Sequence, residues 1–287
     1  ILELITNALI AVYLLLCHYS NMKLISAMET STAKKIKFLL TDIDDTLTKE
    51  GKLIPEAYSA LWDLKKEGIP VIAVTGRASA WGNLLVQEWP VDAVITENGA
   101  AAYYITENNI IETFVFPGTS ENTDTSLRKA FEQSLKEIKR AKAAQDNHLR
   151  QYDLAIDYAE TVSPPLTPEE VAHIISIFEK EGCKAVPSSI HINTWKGNFN
   201  KKEAAVIVLK KLFSFDEKDA DKVIYAGDAR NDEPMFEYFP NACAVANISK
   251  WLNVMTHQPA WVSTKEYGWG FADIVQTLIS KRNQQDS

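Results

Sequence analysis

Along this chain, short apolar runs stop abruptly at acidic or hydroxyl residues, and that rhythm predicts the fold. Residues 36–40 form one run and residues 71–75 a second, with others at 93–96 and 223–227. Four or five apolar residues without polar alternation suit strands buried on both faces, as in a parallel sheet flanked by helices. Helical stretches lie between them. Pro55 stands at a favoured first helical position, Ala57, Leu61 and Leu64 trace an apolar stripe, and Gly68 supplies a stop. A second helix is expected over 80–88, and residues 49–55 read as a turn-rich flap. Asn98-Gly99 is a hairpin signal, and alternating segments at 101–105 and 110–116 follow it.

From about Pro117 the texture changes to charged and amphipathic. A polar loop at 118–125 leads into one long helix expected over 127–144, then a strand at 154–158. Thr167, Pro168 and Glu170 form a capping-box start for another helix, which Gly182 ends. Two further strands are expected at 184–186 and 190–195. A structureless loop of this length is rare, so residues 117–195 are expected to form an inserted module. Within it, Arg150, Asp153, Asp157, Ser188, Ser189, His191 and Asn193 are ligand candidates, with surface or core packing as the alternative for each. The chain then returns to the first texture: a helix over 204–212, the strand ending at Gly227-Asp228, strands at 242–246 and 261–262, a helix over 270–280 and a polar tail. The domains are therefore expected as 34–116 with 196–287 for the core and 117–195 for the insert.

Length and charge narrow the function. A chain of 287 residues can bury a sizeable core in one large domain or two smaller ones. A net charge of -8 and the absence of any Lys/Arg-rich stretch argue against nucleic acid as a partner. Cys17, Cys183 and Cys243 are odd in number and far apart, which argues against zinc and a disulfide framework and for a reducing, cytoplasmic compartment. Residues 8–17 are almost wholly apolar, but a membrane span needs roughly 20 such residues. A signal peptide opens on positive charge, and the one charge before this run is Glu3. Residues 1–27 are accordingly expected to be an extension outside the fold, with the functional protein starting at Met28 or Met22. A signal anchor is the alternative.

The candidate chemistry sits where the apolar runs stop. Asp42 and Asp44, one residue apart and followed by Thr46, close the first run. In open α/β sheets that end of a strand is where ligands bind. Two carboxyl groups this close repel unless a cation or a proton separates their roles. A carboxylate nucleophile, a second carboxyl as proton donor and acceptor, and Mg²⁺ beside a phosphate fit the pattern. Thr75-Gly76-Arg77 closes the second run, with a hydroxyl and backbone N–H groups able to hold a phosphoryl oxygen and Gly76 permitting close approach. Lys201 and Lys202 open a helix against the preference of its dipole, which a nearby acidic cluster and phosphate would explain. Asp228 and Asp232 lie one helical turn apart and could converge on a cation, and Asn231 adds an amide. Each cluster taken alone is also an ordinary turn or a solvated pair.

Together and in this order, Asp42-Ile-Asp-Asp-Thr46, Thr75, Lys201 and Gly227-Asp-Ala-Arg-Asn-Asp232 resemble the motifs of the haloacid dehalogenase-like superfamily. The likeness covers residues 36–282, and the place of the insert is similar to subclass IIB, which holds Cof-type sugar phosphatases, sucrose-phosphate phosphatase and mannosyl-3-phosphoglycerate phosphatase. The resemblance implies a doubly wound, mostly parallel, Rossmann-like α/β core with an inserted α+β cap. It implies a phosphatase acting on a small phosphorylated metabolite, a sugar phosphate, with Mg²⁺ as cofactor. Asp42 would attack phosphorus to form an aspartyl-phosphate, and Asp44 would protonate the leaving alcohol, activate water and bind the metal through its carbonyl. Thr75 and Lys201 would hold phosphoryl oxygens together with the Gly76-Arg77 loop. Asp228 would ligate Mg²⁺, supported by Asp232, with Asn231 orienting the site. Lys202, Glu203 and Ala204 depart from the family's Lys-Gly-x-Ala, so Lys202 stays a substitute for Lys201. A phosphomutase and a non-catalytic binding module are the alternatives. No motif selects a substrate, and a monomer or a homodimer are both compatible with the sequence.

Overall fold

The protein is described here by a computed structural model covering residues 22–284. By contacts the described residues divide into two compact units, those up to residue 71 with those from residue 216 on, and residues 72–215.

In the first unit every pairing of the main sheet is parallel. The strands are β1 (Lys23–Leu24), β2 (Phe38–Thr41), β13 (Val223–Gly227), β14 (Cys243–Ala244) and β15 (Trp261–Val262), numbered along the whole chain. Their order is β1, β15, β14, β13, β2. Every residue of β13 is buried, as the unbroken apolar run requires. Helices α1 (Thr30–Lys35), α2 (Pro55–Lys66), α7 (Glu233–Tyr238) and α8 (Tyr267–Arg282) complete this unit. Helix α2 buries Ala57, Ala60, Leu61 and Leu64, the stripe visible in the sequence, and packs on α8. The flap is a small hairpin of β3 (Thr48–Lys49) and β4 (Lys52–Leu53), turned by Glu50 and Gly51 at φ 50° and 72°.

Residues 22–27 correct the expected boundary. Lys23 and Leu24 pair with Trp261 and Val262, and Met22, Ile25 and Met28 are buried. Strand pairing and apolar burial draw this segment into the fold, although its sequence lacks the length of a typical strand. The expectations for residues 1–21, and for the tail at 285–287, lie outside the described residues.

In the second unit β5 (Val71–Val74) runs parallel to β6 (Ala93–Thr96), and β7 (Ala101–Ile105) and β8 (Ile111–Val115) continue antiparallel. Helix α3 (Ser79–Glu88) and helix α6 (Lys201–Phe213) pack on β6 and β7. A separate antiparallel sheet is built from β9 (Lys142–Ala143), β10 (Asp153–Asp157), β11 (Lys184–Pro187) and β12 (His191–Trp195), in the order β11, β12, β10, β9. Helices α4 (Thr125–Glu137) and α5 (Pro168–Lys180) close its core with Leu127, Leu154, Ile156, Ile174, Phe178 and Ile192. The capping box of Thr167 and Glu170 forms as its spacing predicts. Helix α4 stops seven residues short of the expected 144. Arg140 turns away to donate to the carbonyls of Pro164 and Pro165, and Lys142–Ala143 pair with β10. Tertiary partners override a helical pattern that continues in the sequence.

The class is therefore α/β with a mostly parallel sheet, as the apolar runs predict. No helix among the described residues is long and apolar enough to cross a membrane. Cys183 and Cys243 are free and buried.

Candidate active site

The carboxylates of the first unit gather where β2 and β13 end side by side. Asp42 follows β2 directly, and its N–H donates to the carbonyl of Ala226 at 2.8 Å. The chain then coils tightly, with the N–H groups of Leu47 and Thr48 both donating to the Ile43 carbonyl and Asp45 at φ 57°. This coil buries Thr46, whose hydroxyl donates to Asp228 Oδ1 at 3.2 Å. Asp228 and Ala229 donate their N–H groups to Asp232 Oδ2 at 3.0 and 3.2 Å, and the Tyr225 hydroxyl donates to Asp232 Oδ1 at 2.5 Å. Burial, with the charges of Asp232 and Asp42, pushes the Tyr225 phenol well above its usual range, so it stays a donor. Asn247 Nδ2 bridges Asp228 Oδ2 at 3.0 Å and the Asp45 carbonyl at 3.1 Å, and its Oδ1 accepts from Tyr267 N at 3.0 Å.

Asp42, Asp228 and Asp232 are all buried, and each offers a carboxylate oxygen such that all three lie within 4.8 Å of one another. Three hard anionic oxygens out of water repel unless a cation joins them. An all-oxygen donor set suits a hard divalent cation. Both oxygens of Asp228 and both oxygens of Asp232 accept hydrogen bonds, which fixes the direction of these two carboxylates. Asp44 is half-buried two residues beyond Asp42 and outside this trio. Asn231 lies in the short turn before α7, with a buried Oδ1 that has no hydrogen-bond partner among the described residues.

The second unit carries the loop 75–77. Thr75 is buried at the end of β5, and its hydroxyl accepts from Arg77 N at 3.1 Å. The turn Glu97-Asn98-Gly99 is stitched to this loop: Asn98 N donates to the Thr75 carbonyl and Glu97 N to the Arg77 carbonyl, both at 3.0 Å. All three turn residues have left-handed φ, at 47°, 55° and 113°. Gly99 is needed for space as well, since a Cβ there would lie 2.4 Å from the Asn200 carbonyl oxygen. That closeness seats the start of α6, where Asn200 caps the helix and Lys201 is buried. Lys202 instead contacts its neighbour Glu203 at the surface. Burial thus separates two lysines that sequence register could not. The Arg77 guanidinium lies over the Trp81 ring, 4.9 Å from its centroid.

Glu97 is a buried carboxylate with an unusual set of donors. It accepts from Ser79 N at 2.6 Å, Gln151 N at 3.0 Å, Tyr152 N at 2.7 Å and Asp153 N at 2.8 Å. Beside it Arg150 donates to the Gly76 carbonyl at 3.0 Å and to Asp153 at 2.8 and 3.0 Å, with Asp146 on its other edge. Burial alone would lower the Arg150 pKa, but Asp153 and Asp146 outweigh it and fix the charge. Burial, followed by the charge of Glu97, pushes the Asp153 carboxyl well above the usual carboxylate range, and Arg150 opposes this.

The ligand candidates of the insert therefore separate. Arg150 and Asp153 form an interior ion pair that braces the 75–77 loop. Asp157 caps its own turn, accepting from the N–H groups of Ala159, Glu160 and Thr161. Ser188 closes a turn with His191, and His191 pairs with Glu160. Asn193 is the exception, with its amide beside Gly76. Sequence reasoning missed Glu97, because Glu-Asn-Gly reads as an ordinary turn. It also missed Asn247, although a polar residue shortly after the apolar strand β14 is the signal that found Asp42 and Asp228.

Taken together, an α/β fold of this topology with buried carboxylates at its strand ends suits a hydrolase. The chain belongs to the haloacid dehalogenase-like hydrolase family, whose model matches residues 39–258. It is 26% identical over 234 residues to a glucosyl-3-phosphoglycerate/mannosyl-3-phosphoglycerate phosphatase of Persephonella marina, covering 74% of this chain and 86% of that protein. Its fold is similar to that of a HAD subclass IIB sugar phosphatase, with TM-score 0.60 and 15% identity over 84% of this chain and 98% of that one. It is also similar to the sucrose-phosphatase of Synechocystis sp. PCC6803, solved with sucrose and phosphate, with TM-score 0.59 and 14% identity over 86% and 98% of the two chains.

Proposed function

We propose that this protein is an Mg²⁺-dependent phosphatase that hydrolyses a small phosphorylated sugar through an aspartyl-phosphate. The observation that carries the reading is the buried trio of Asp42, Asp228 and Asp232, with Asp42 first in the motif Asp-x-Asp-x-Thr. Bound Mg²⁺ would offset the negative charge of the phosphate and of the attacking carboxylate. Asp228 and Asp42 would hold it, with Asp232 fixed behind them by Tyr225 and Asp44 adding its carbonyl. Asp42 Oδ attacks phosphorus, the ester P–O bond breaks, and Asp44 gives its proton to the departing alkoxide. Asp44 then takes a proton from water as that water attacks phosphorus, which returns Asp42 as a carboxylate and releases phosphate. Thr75 and Lys201, with the N–H groups of the Gly76-Arg77 loop, hold the phosphoryl oxygens, and Asn231 orients the metal side. Residues 117–195 act as the cap that selects the alcohol. The Persephonella phosphatase and the sucrose-phosphatase support a sugar-derived ester as substrate.

The test is phosphate release from a panel of sugar and polyol phosphates, with Mg²⁺ or with EDTA. Turnover is expected with Mg²⁺ and a loss of roughly 100-fold or more with EDTA, restored by adding Mg²⁺ back. Turnover indifferent to EDTA would remove the metal from the proposal, and an isomerised product without free phosphate would make the enzyme a mutase.

A further inference from the structure

Gly76 does not adopt a left-handed conformation, so its backbone does not demand glycine. Space does. A Cβ at residue 76 would lie 3.1 Å from Asn193 Nδ2, 3.2 Å from Asn98 Nδ2 and 3.3 Å from Asn98 Oδ1. Two side-chain amides from different parts of the sequence thus converge on the position that any other residue's side chain would fill. Both residues are buried, Asn98 at 3% and Asn193 at 2% exposure. Neither can drift. Asn98 is pinned by its N–H on the Thr75 carbonyl. Asn193 sits mid-strand on β12, paired with Ala155 on one side and Val186 on the other.

The Asn98 Nδ2 group has no hydrogen-bond partner among the described residues. A buried unpaired amide donor costs stability, and such groups persist where a ligand completes them. Turning the Asn98 amide over does not remove the point, since its Oδ1 would present an acceptor at the same place.

We infer that Asn98 and Asn193 form a hydroxyl-binding subsite for the alcohol part of a polyhydroxylated phosphate monoester, one with a hydroxyl on the carbon next to the ester. The inference rests on the phosphatase reading and adds the chemistry of the leaving group to it. A primary amide both donates and accepts, which matches a hydroxyl. Two neutral amides are poor partners for a phosphate dianion, which the Lys201 charge and loop N–H groups serve better. Asn193 also belongs to the 117–195 sheet, where Asp157 is engaged in its own turn and His191 with Glu160.

The experiment compares kcat/KM for sorbitol 6-phosphate, an open-chain ester with a hydroxyl on the neighbouring carbon, with that for phenyl phosphate, which has none. The variants are Asn98→Gly, which tolerates the left-handed φ, Asn193→Ala, and Asn193→Ser as a milder change, with thermal unfolding as the check on folding. The ratio of the two kcat/KM values is expected to fall roughly 2- to 10-fold in Asn98→Gly and in Asn193→Ala, the effect of one neutral hydrogen bond. Equal losses on both esters would mean that the amides serve the phosphoryl group or the fold, and would overturn the subsite, as would no loss on either. If the wild type hydrolyses neither of these nor any ester of the panel, the phosphatase reading falls by itself, and calorimetric binding of sorbitol 6-phosphate decides the subsite. Weaker binding in Asn98→Gly than in wild type retains it, whereas equal or absent binding overturns it.

Discussion

Replacing Asp42 by Asn is expected to reduce phosphate release on the order of 10⁴-fold or more, because an amide keeps the shape of the side chain but cannot attack phosphorus. The loss should appear in kcat at saturating ester, and no acid-stable, hydroxylamine-sensitive phosphoenzyme should accumulate on rapid acid quenching. A residual rate within tenfold of wild type would show that another group is the nucleophile. The same substitution is expected to raise the melting temperature measured in EDTA. Asp42, Asp228 and Asp232 hold three like charges within 4.8 Å of one another, and neutralising one relieves their repulsion. Stability gained where activity is lost is the usual sign of a site held together for its chemistry. Adding Mg²⁺ should narrow the difference, since the cation stabilises the wild-type trio more than the variant.

The second large effect is on folding. Arg150→Met removes the partner of Asp153, a carboxyl with no exposure, and frees the Gly76 carbonyl. Breaking a buried ion pair from one side costs about 3–5 kcal/mol, because the other charge stays buried without compensation. Denaturant unfolding should show this loss, and Arg150→Met with Asp153→Asn should recover part of it. The pH dependence has a definite sign. Burial, then the charge of Glu97, holds the Asp153 carboxyl in the fold above its unfolded value. Without Arg150 the protonated form is favoured further, so the deficit is smallest below the unfolded carboxylate value of about 4 and grows as pH rises through the folded one. A deficit independent of pH would mean that the lost contacts to Gly76 and Asp146 dominate instead.

The strand ends were legible because an apolar run that stops at Asp or Thr is a local signal. Asp42, Thr75 and Asp228 each fall at or next to the last residue of a buried strand, where the sequence puts them. What the sequence withheld depends on distant partners. Glu97 looks like one residue of a turn, and its importance comes from the N–H groups of residues 151–153, more than fifty positions away. Arg150 and Asp153 looked like ligand-facing polar residues because nothing local reveals that they are buried against each other. The helix expected over 127–144 ended early because Lys142–Ala143 find a strand partner, which periodicity cannot anticipate. Lys201 and Lys202 are equivalent in composition and differ in burial, which only the seating of α6 against Gly99 decides.

The pairing of Lys23–Leu24 with Trp261–Val262 has a practical side. The N–H of Lys23 also donates to the Ala260 carbonyl at 2.9 Å, so this short segment occupies the outer rim of β15. A polypeptide trimmed to begin at Met28, the start that its sequence invites, would leave that rim bare, with Trp261 beside it. Bare strand rims recruit other chains. Tendency to self-associate in solution would then depend on residues 22–27, which lie outside the candidate site, and truncations meant to tidy the molecule would change its colloidal behaviour before its chemistry.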